Sequence, residues 1–157
     1  MDILWIKLVH ILGGVVIFGT GLGTAFHMWF AHLRGDPRTV AVVARNVVLA
    51  DWLFTTPAVV LQPLTGVWLA VVLGYSLTET WLIAAITLYL LAGACWLPVV
   101  WLQMRMHRLA ATAGAAGQPL PATYHRYAGW WFRLGWPAFI ALLVIFYLMV
   151  FKDTGMP

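Results

Sequence analysis

The sequence predicts an all-α integral membrane four-helix bundle, on three observations: 63% of the residues are hydrophobic, only 9% are charged, and ten are tryptophan. A soluble domain keeps about a quarter of its residues charged to remain in solution. Apolar runs near the ~20 residues needed to cross a hydrocarbon core occur four times, at about residues 4–31, 47–73, 81–106 and 130–151. They make residues 1–157 one transmembrane domain.

The first run carries no formal charge between Leu8 and Leu33. It reads as a span and not as a cleaved signal: Asp2 stands where a basic cluster would, the run is too long, and no small-x-small site ends it. The second run has Asp51 near its start and contains Pro57 and Pro63. Each proline frees a backbone carbonyl that Thr56 or water would have to satisfy. The third contains Pro98 and the single cysteine, Cys95, which excludes an intramolecular disulfide.

Charge sets the orientation. The first loop, 31–46, holds Arg34, Arg38 and Arg45 against Asp36, and the third, 105–129, holds Arg105, Arg108 and Arg126 with no acid. The connection around Gly74 to Thr80 carries only Glu79. The positive-inside rule puts the arginine loops in the cytoplasm and both termini outside, in the periplasm of a bacterial inner membrane. Trp5, Trp29, Trp52, Trp81, Trp101, Trp130 and Trp131 fall near span ends, where amphipathic rings anchor at the interface. Basic residues confined to loops exclude a nucleic-acid face; the bilayer is the expected partner, with a homo-oligomer as a further one. The stretch Thr112 to Pro121, rich in Ala, Gly and Pro, reads as a flexible linker.

Polar residues inside spans are the functional candidates, because they cost free energy in lipid and face the bundle interior. In the first helix, His10 and His27 are separated by seventeen positions and point in nearly the same direction, roughly 25 Å apart. Gly13, Gly14, Gly21 and Thr24 lie between them on that face. Such a stripe suits close helix packing; it also suits a flat macrocycle with a histidine axial ligand in a bundle core. In the second helix Asp51, Thr55, Ala58, Gln62 and Thr65 form a polar stripe, either interhelical glue or a proton or ion path. The third helix aligns Tyr89, Gly93, Trp96, Val100, Gln103 and His107. His107 sits at the cytoplasmic edge, at a depth close to that of His27, while His32 and His125 read as solvated loop residues. No structural zinc spacing and no nucleotide-binding glycine loop is present.

The opening Trp5-Ile6-Lys7-Leu8-Val9-His10 resembles the start of the HemJ-type protoporphyrinogen oxidases, four-helix bacterial membrane proteins that bind b-type haem. Leu53-Phe54-Thr55-Thr56-Pro57, with Gly66 beyond it, is similar to that family's second helix; Phe132-Arg133, Pro137 and Phe151-Lys152 are similar to its end. The chain looks closer still to a bacterial family of predicted integral membrane proteins, which shares this architecture with the CopD copper-resistance proteins. It departs from the oxidases at Ile83 and Ala85, at Gly135-Trp136 and at Phe26-His27. The resemblance therefore implies haem b with His10 as an axial ligand and does not carry over oxidation of a porphyrin.

The leading expectation is a haem b redox protein with a quinone as partner. His10 is the first candidate ligand, His27 with His107 a second pair, Gly14 and Gly21 would line the haem face, and Arg133, Arg45, Arg105 or Arg126 would pair with propionates. The alternative is a copper or proton pathway through Asp51, Thr55, Gln62 and the histidines; a purely structural subunit is a third reading. For Asp51 itself an ion pair with Arg45, Arg105 or Arg133 is expected ahead of a proton-carrying role.

Overall fold

The computed structural model describes residues 3–151. Asp2 and Lys152 lie outside them. The chain folds as α1 (Ile3–Arg34), α2 (Pro37–Ala50), a π-helical turn (Asp51–Thr55), α3 (Thr56–Val72), α4 (Thr80–Ala116) and α5 (Ala122–Phe151). α2, the π turn and α3 run on as one rod, Pro37–Val72, so four helical stretches are long and apolar enough to cross a membrane.

The rod starts where the sequence supplies start signals. Asp36 caps α2 by accepting the Thr39 amide at 2.8 Å and its hydroxyl at 2.6 Å, and Pro37 occupies the first turn, where no N–H is needed. The π turn sits where Pro57 has no N–H to give and its ring crowds the carbonyl one turn earlier. The helix takes this up by widening: both the amide and the hydroxyl of Thr56 go to Asp51 O, the latter at 2.9 Å. Pro63 frees Val59 O in the same way, and the Tyr89 hydroxyl on α4 donates to it. Thr56 thus serves the carbonyl of Asp51, and the expected partner for a proline-freed carbonyl comes from a neighbouring helix. α4 stops at Gly117, whose φ of 63° only glycine takes up easily; Gln118 N closes the end on Ala113 O at 2.9 Å.

α4 is the hub, packed along α5 and against α2, while α1 lies on α3. The largest dry core gathers at the arginine-rich end: Met28 and Ala31, Val40, Ala44 and Val47, Leu102, Met106 and Ala110, then Tyr124, Ala128 and Trp131. This corrects the reading of residues 31–46 and 105–129 as loops. Val40, Ala44 and Val47 recur at 4-3 spacing and give α2 an apolar face, and α4 carries its helix on through Ala110 and Ala113. The expected linker is also reduced: residues up to Ala116 are helical and Leu120 is buried. His32 is half-buried, with Nδ1 3.4 Å from the Tyr124 hydroxyl and its ring 5.7 Å from that of His125, which does stay exposed.

The cap at Asp36 yields a prediction with a definite pH sign. The Thr39 hydroxyl and amide hold the Asp36 carboxyl below its usual range. Its contribution to stability is therefore full above the unfolded carboxyl pKa and fades as pH falls through the lower folded value. Asp36→Ala should lower the thermal midpoint in detergent at neutral pH, and the gap from wild type should shrink in the acid range. A gap that widens on acidification contradicts the cap.

Candidate functional site

Between the packed arginine-rich end and the opposite end of the bundle lies a cavity of about 290 Å³. Its wall is almost wholly apolar: Trp29, Trp96, Trp131, Trp136, Phe132 and Phe139 present rings into it. Gly21, Gly93 and Gly135 also line it, and a Cβ on any of the three would meet no atom within 4 Å. The small residues thus make room that no other part of the chain fills.

Two aromatic bridges between α1 and α5 frame the cavity. Phe18 stacks on Phe139 at 5.2 Å and meets Phe146 edge-on at 5.7 Å; nearer the arginine-rich end Trp29 stacks on Phe132 at 4.7 Å. α1 and α5 otherwise touch little.

The polar side of the cavity is made by Asp51, Thr55, Tyr89 and Gln103. The π turn buries Asp51 and Thr55, and the Thr55 hydroxyl donates to Asp51 Oδ1 at 2.9 Å. Gln103 on α4 is also buried and interacts with the Asp51 carboxyl. Asp51 Oδ2 and Gln103 Oε1 are buried without a hydrogen-bond partner. Buried acceptors are nearly always satisfied, so a pair of orphans on the rim of a cavity marks a place where a donor belongs.

The expected ion pair of Asp51 is not formed, and this is a correction. The Arg105 guanidinium lies over Trp101 at 5.3 Å, that of Arg133 over Trp130 at 5.5 Å, and that of Arg126 over Tyr127 at 5.8 Å; Arg45 is exposed. These guanidinium groups belong to exposed residues, whereas Asp51 is buried beside the Thr55 hydroxyl and Gln103.

The histidines do not converge on the cavity. His10 sits at the other end of the bundle, with Nδ1 2.9 Å from Thr65 Oγ1 and Nε2 3.5 Å from Gln62 Nε2. Thr65 already donates to Leu61 O, so its oxygen accepts from His10 Nδ1–H. His27 is exposed and bonds Gly23 O of its own helix at 2.9 Å; His107 reaches Ala41 O on α2 at 3.0 Å. The glycine stripe of α1 divides accordingly. A Cβ on Gly13 would collide with Gln62 Oε1, one on Gly14 would come 3.2 Å from a Phe146 ring carbon, and Gly66 on α3 leaves room for the His10 ring. Gly21 and Thr24 border the cavity instead. No group of three His, Cys, Asp or Glu side chains able to hold a metal ion occurs among the described residues.

Sequence reasoning placed Asp51, Thr55, Tyr89 and Gln103 on inward faces, and all four line the cavity. It read Trp131 as an interfacial anchor, because a tryptophan near a span end carries the same signal whether it anchors at the interface or lines a cavity, and it gave Trp136 no role. Over residues 4–153 the chain matches a family of predicted integral membrane proteins (DUF2269), and it belongs to that family. No curated protein and no solved structure matches it.

The geometry gives His10 a packing role between α1 and α3. His10→Ala should destabilise the bundle by about 0.6–1.7 kcal/mol, the range of interhelical hydrogen bonds in membranes, when unfolding is followed in mixed micelles. Loss of binding in the cavity with unchanged stability would contradict that role.

Proposed function

We propose that this family member is a membrane-embedded binding protein for a flat, mostly apolar molecule with a hydrogen-bond-donating head, of the quinol class. One observation carries the reading: Asp51 Oδ2 and Gln103 Oε1 stand unpartnered and buried at the edge of an aromatic-walled cavity. A carboxylate and an amide carbonyl both accept, so the complementary head carries hydroxyls, as a quinol does. The tryptophan and phenylalanine rings offer faces on which a flat ring can stack. The size and apolar wall match the usual small-molecule site, with few polar groups fixing orientation.

These residues support a quinol more directly than the haem b expected from the sequence. His10 has both ring nitrogens near polar neighbours on α3, and none of His10, His27 or His107 borders the cavity. The resemblance of the Lys7–His10 opening to haem-binding oxidases supports redox chemistry only as the class to which a quinol ligand belongs. For copper conduction no cluster of ligands occurs among the described residues, and the polar stripe of the second span passes through Ala58 and Val59 between Thr55 and Gln62.

We place the protein in a bacterial inner membrane with the arginine-rich end in the cytoplasm and both chain ends outside. The support is the distribution of arginine across the connections. Reporter fusions at both ends should then be active only in the periplasm; activity of a cytoplasmic reporter at either end would reverse the orientation.

Binding is read from tryptophan fluorescence, since four of the lining rings are indoles. A short-tailed quinol analogue should quench it saturably in detergent. Asp51→Asn should weaken binding by about one to two orders of magnitude, as a charge-assisted hydrogen bond of roughly 1.5–3 kcal/mol is lost. Its thermal midpoint should hold or rise, because an unpaired buried carboxylate is removed. Gly93→Leu, pointing into open space, should abolish quenching with the fold intact. Unsaturable quenching, or hemin uptake that depends on His10, would replace this reading.

A further inference from the structure

The arginine-rich end holds a second concavity, separate from the ligand cavity. It is a groove of about 160 Å³ between α4 and α5, lined by Arg105, Arg108, Leu109, Thr112, Thr123 and Tyr127. Two guanidinium groups, at positions three apart on one helix, face two threonines and a tyrosine. The Thr112 hydroxyl donates to Arg108 O at 3.0 Å, which leaves the arginines and the hydroxyls of Thr123 and Tyr127 as the donors of the groove.

No carboxylate among the described residues neutralises these cations. Among the described residues the carboxylates are those of Asp36, Asp51 and Glu79. Asp36 binds Thr39, Asp51 binds Thr55, and Glu79 binds the Ser76 amide and the Trp81 indole. The groove also lies beside an interfacial ring. Arg105 stacks over Trp101, which is 45% exposed, and Trp101 meets Tyr127 edge-on at 5.6 Å. A tryptophan near the end of a span, as Trp101 is, marks the level of the lipid headgroups. Uncompensated arginine at that level, with hydroxyl donors beside it, is suited to a tetrahedral oxyanion, which arginine binds through paired N–H groups.

We propose that this groove binds a phosphate group, carried by the headgroup of an anionic lipid or free in solution, and so fixes the α4–α5 pair at the membrane surface. The site is independent of the ligand cavity and stands whether or not the quinol reading does.

The test uses the full chain purified in a neutral detergent, with bound lipid counted by native mass spectrometry. Phosphatidylglycerol, phosphatidylcholine and inorganic phosphate are offered separately and in competition. Phosphatidylglycerol should be retained in preference to phosphatidylcholine. Arg105→Gln with Arg108→Gln should lower that retention about fivefold per arginine, the effect of one basic side chain near an anionic surface. Arg45→Gln, an exposed arginine on the same end but outside the groove, should change nothing. If inorganic phosphate displaces phosphatidylglycerol and binds with the same dependence on the two arginines, the site stands and its source is the free ion. Equal retention of both lipids, an unaffected double variant, or an equal loss in Arg45→Gln overturns it. Where the double variant does not fold, Arg108→Gln alone, at an exposed position, gives the same reading at the scale of one arginine.

Discussion

In hydrocarbon no water can satisfy a backbone carbonyl, and each one left bare costs several kcal/mol. The second span meets this constraint twice within seven residues, at Pro57 and at Pro63. At Pro57 the rod widens into a turn in which the Thr56 amide and hydroxyl close on Asp51 O, and at Pro63 a hydroxyl from another helix takes the freed carbonyl. Both answers act at the cavity, since Asp51, Thr55, Val59 and Tyr89 all line it. The tie from Tyr89 to Val59 holds α3 to α4 at the height where the chamber opens. The repair of the proline-broken backbone and the polar side of the site are thus one piece of structure.

Burial of Asp51 follows from the same turn. A carboxylate this deep is ordinarily expected to recruit a cation, because an unpaired buried charge is strongly destabilising. Here the nearby arginines rest on tryptophan and tyrosine rings at the surface, and hydroxyl and amide groups take their place around Asp51. A protein that keeps such a group, with a second orphaned acceptor beside it, accepts a loss of stability at the place where function is most readily explained.

The spans, their number and the inward faces of the second and third were legible in the sequence because lipid imposes one strong rule, and hydropathy reports it directly. Helix ends were less so. Arginine and proline between residues 31 and 46 look like loop signals, yet the 4-3 spacing of Val40, Ala44 and Val47 carried the helical period underneath. The glycine stripe of α1 was visible, but not that it serves two purposes. Gly13 and Gly14 yield space to Gln62 and Phe146, whereas Gly21 yields space to nothing in the chain. Sequence spacing shows which residues share a face; it does not show whether the opposing helix supplies a side chain to fill the gap. For the same reason the inward face of His10 was legible, but not that Thr65 and Gln62 stand opposite its ring.

The two aromatic bridges between α1 and α5 leave a side window between them, bordered by Leu22 and Trp136, both about half exposed. It opens on the flank of the two spans, not at either end of the bundle. On the proposed reading, a solute entering there would come from the acyl chains without passing through either headgroup layer, so its occupancy would follow its concentration in the bilayer and not in the aqueous phase. Two ligands with identical contacts would then differ in apparent affinity by the ratio of their partition coefficients. Diluting the protein into more lipid would empty the site at constant total ligand.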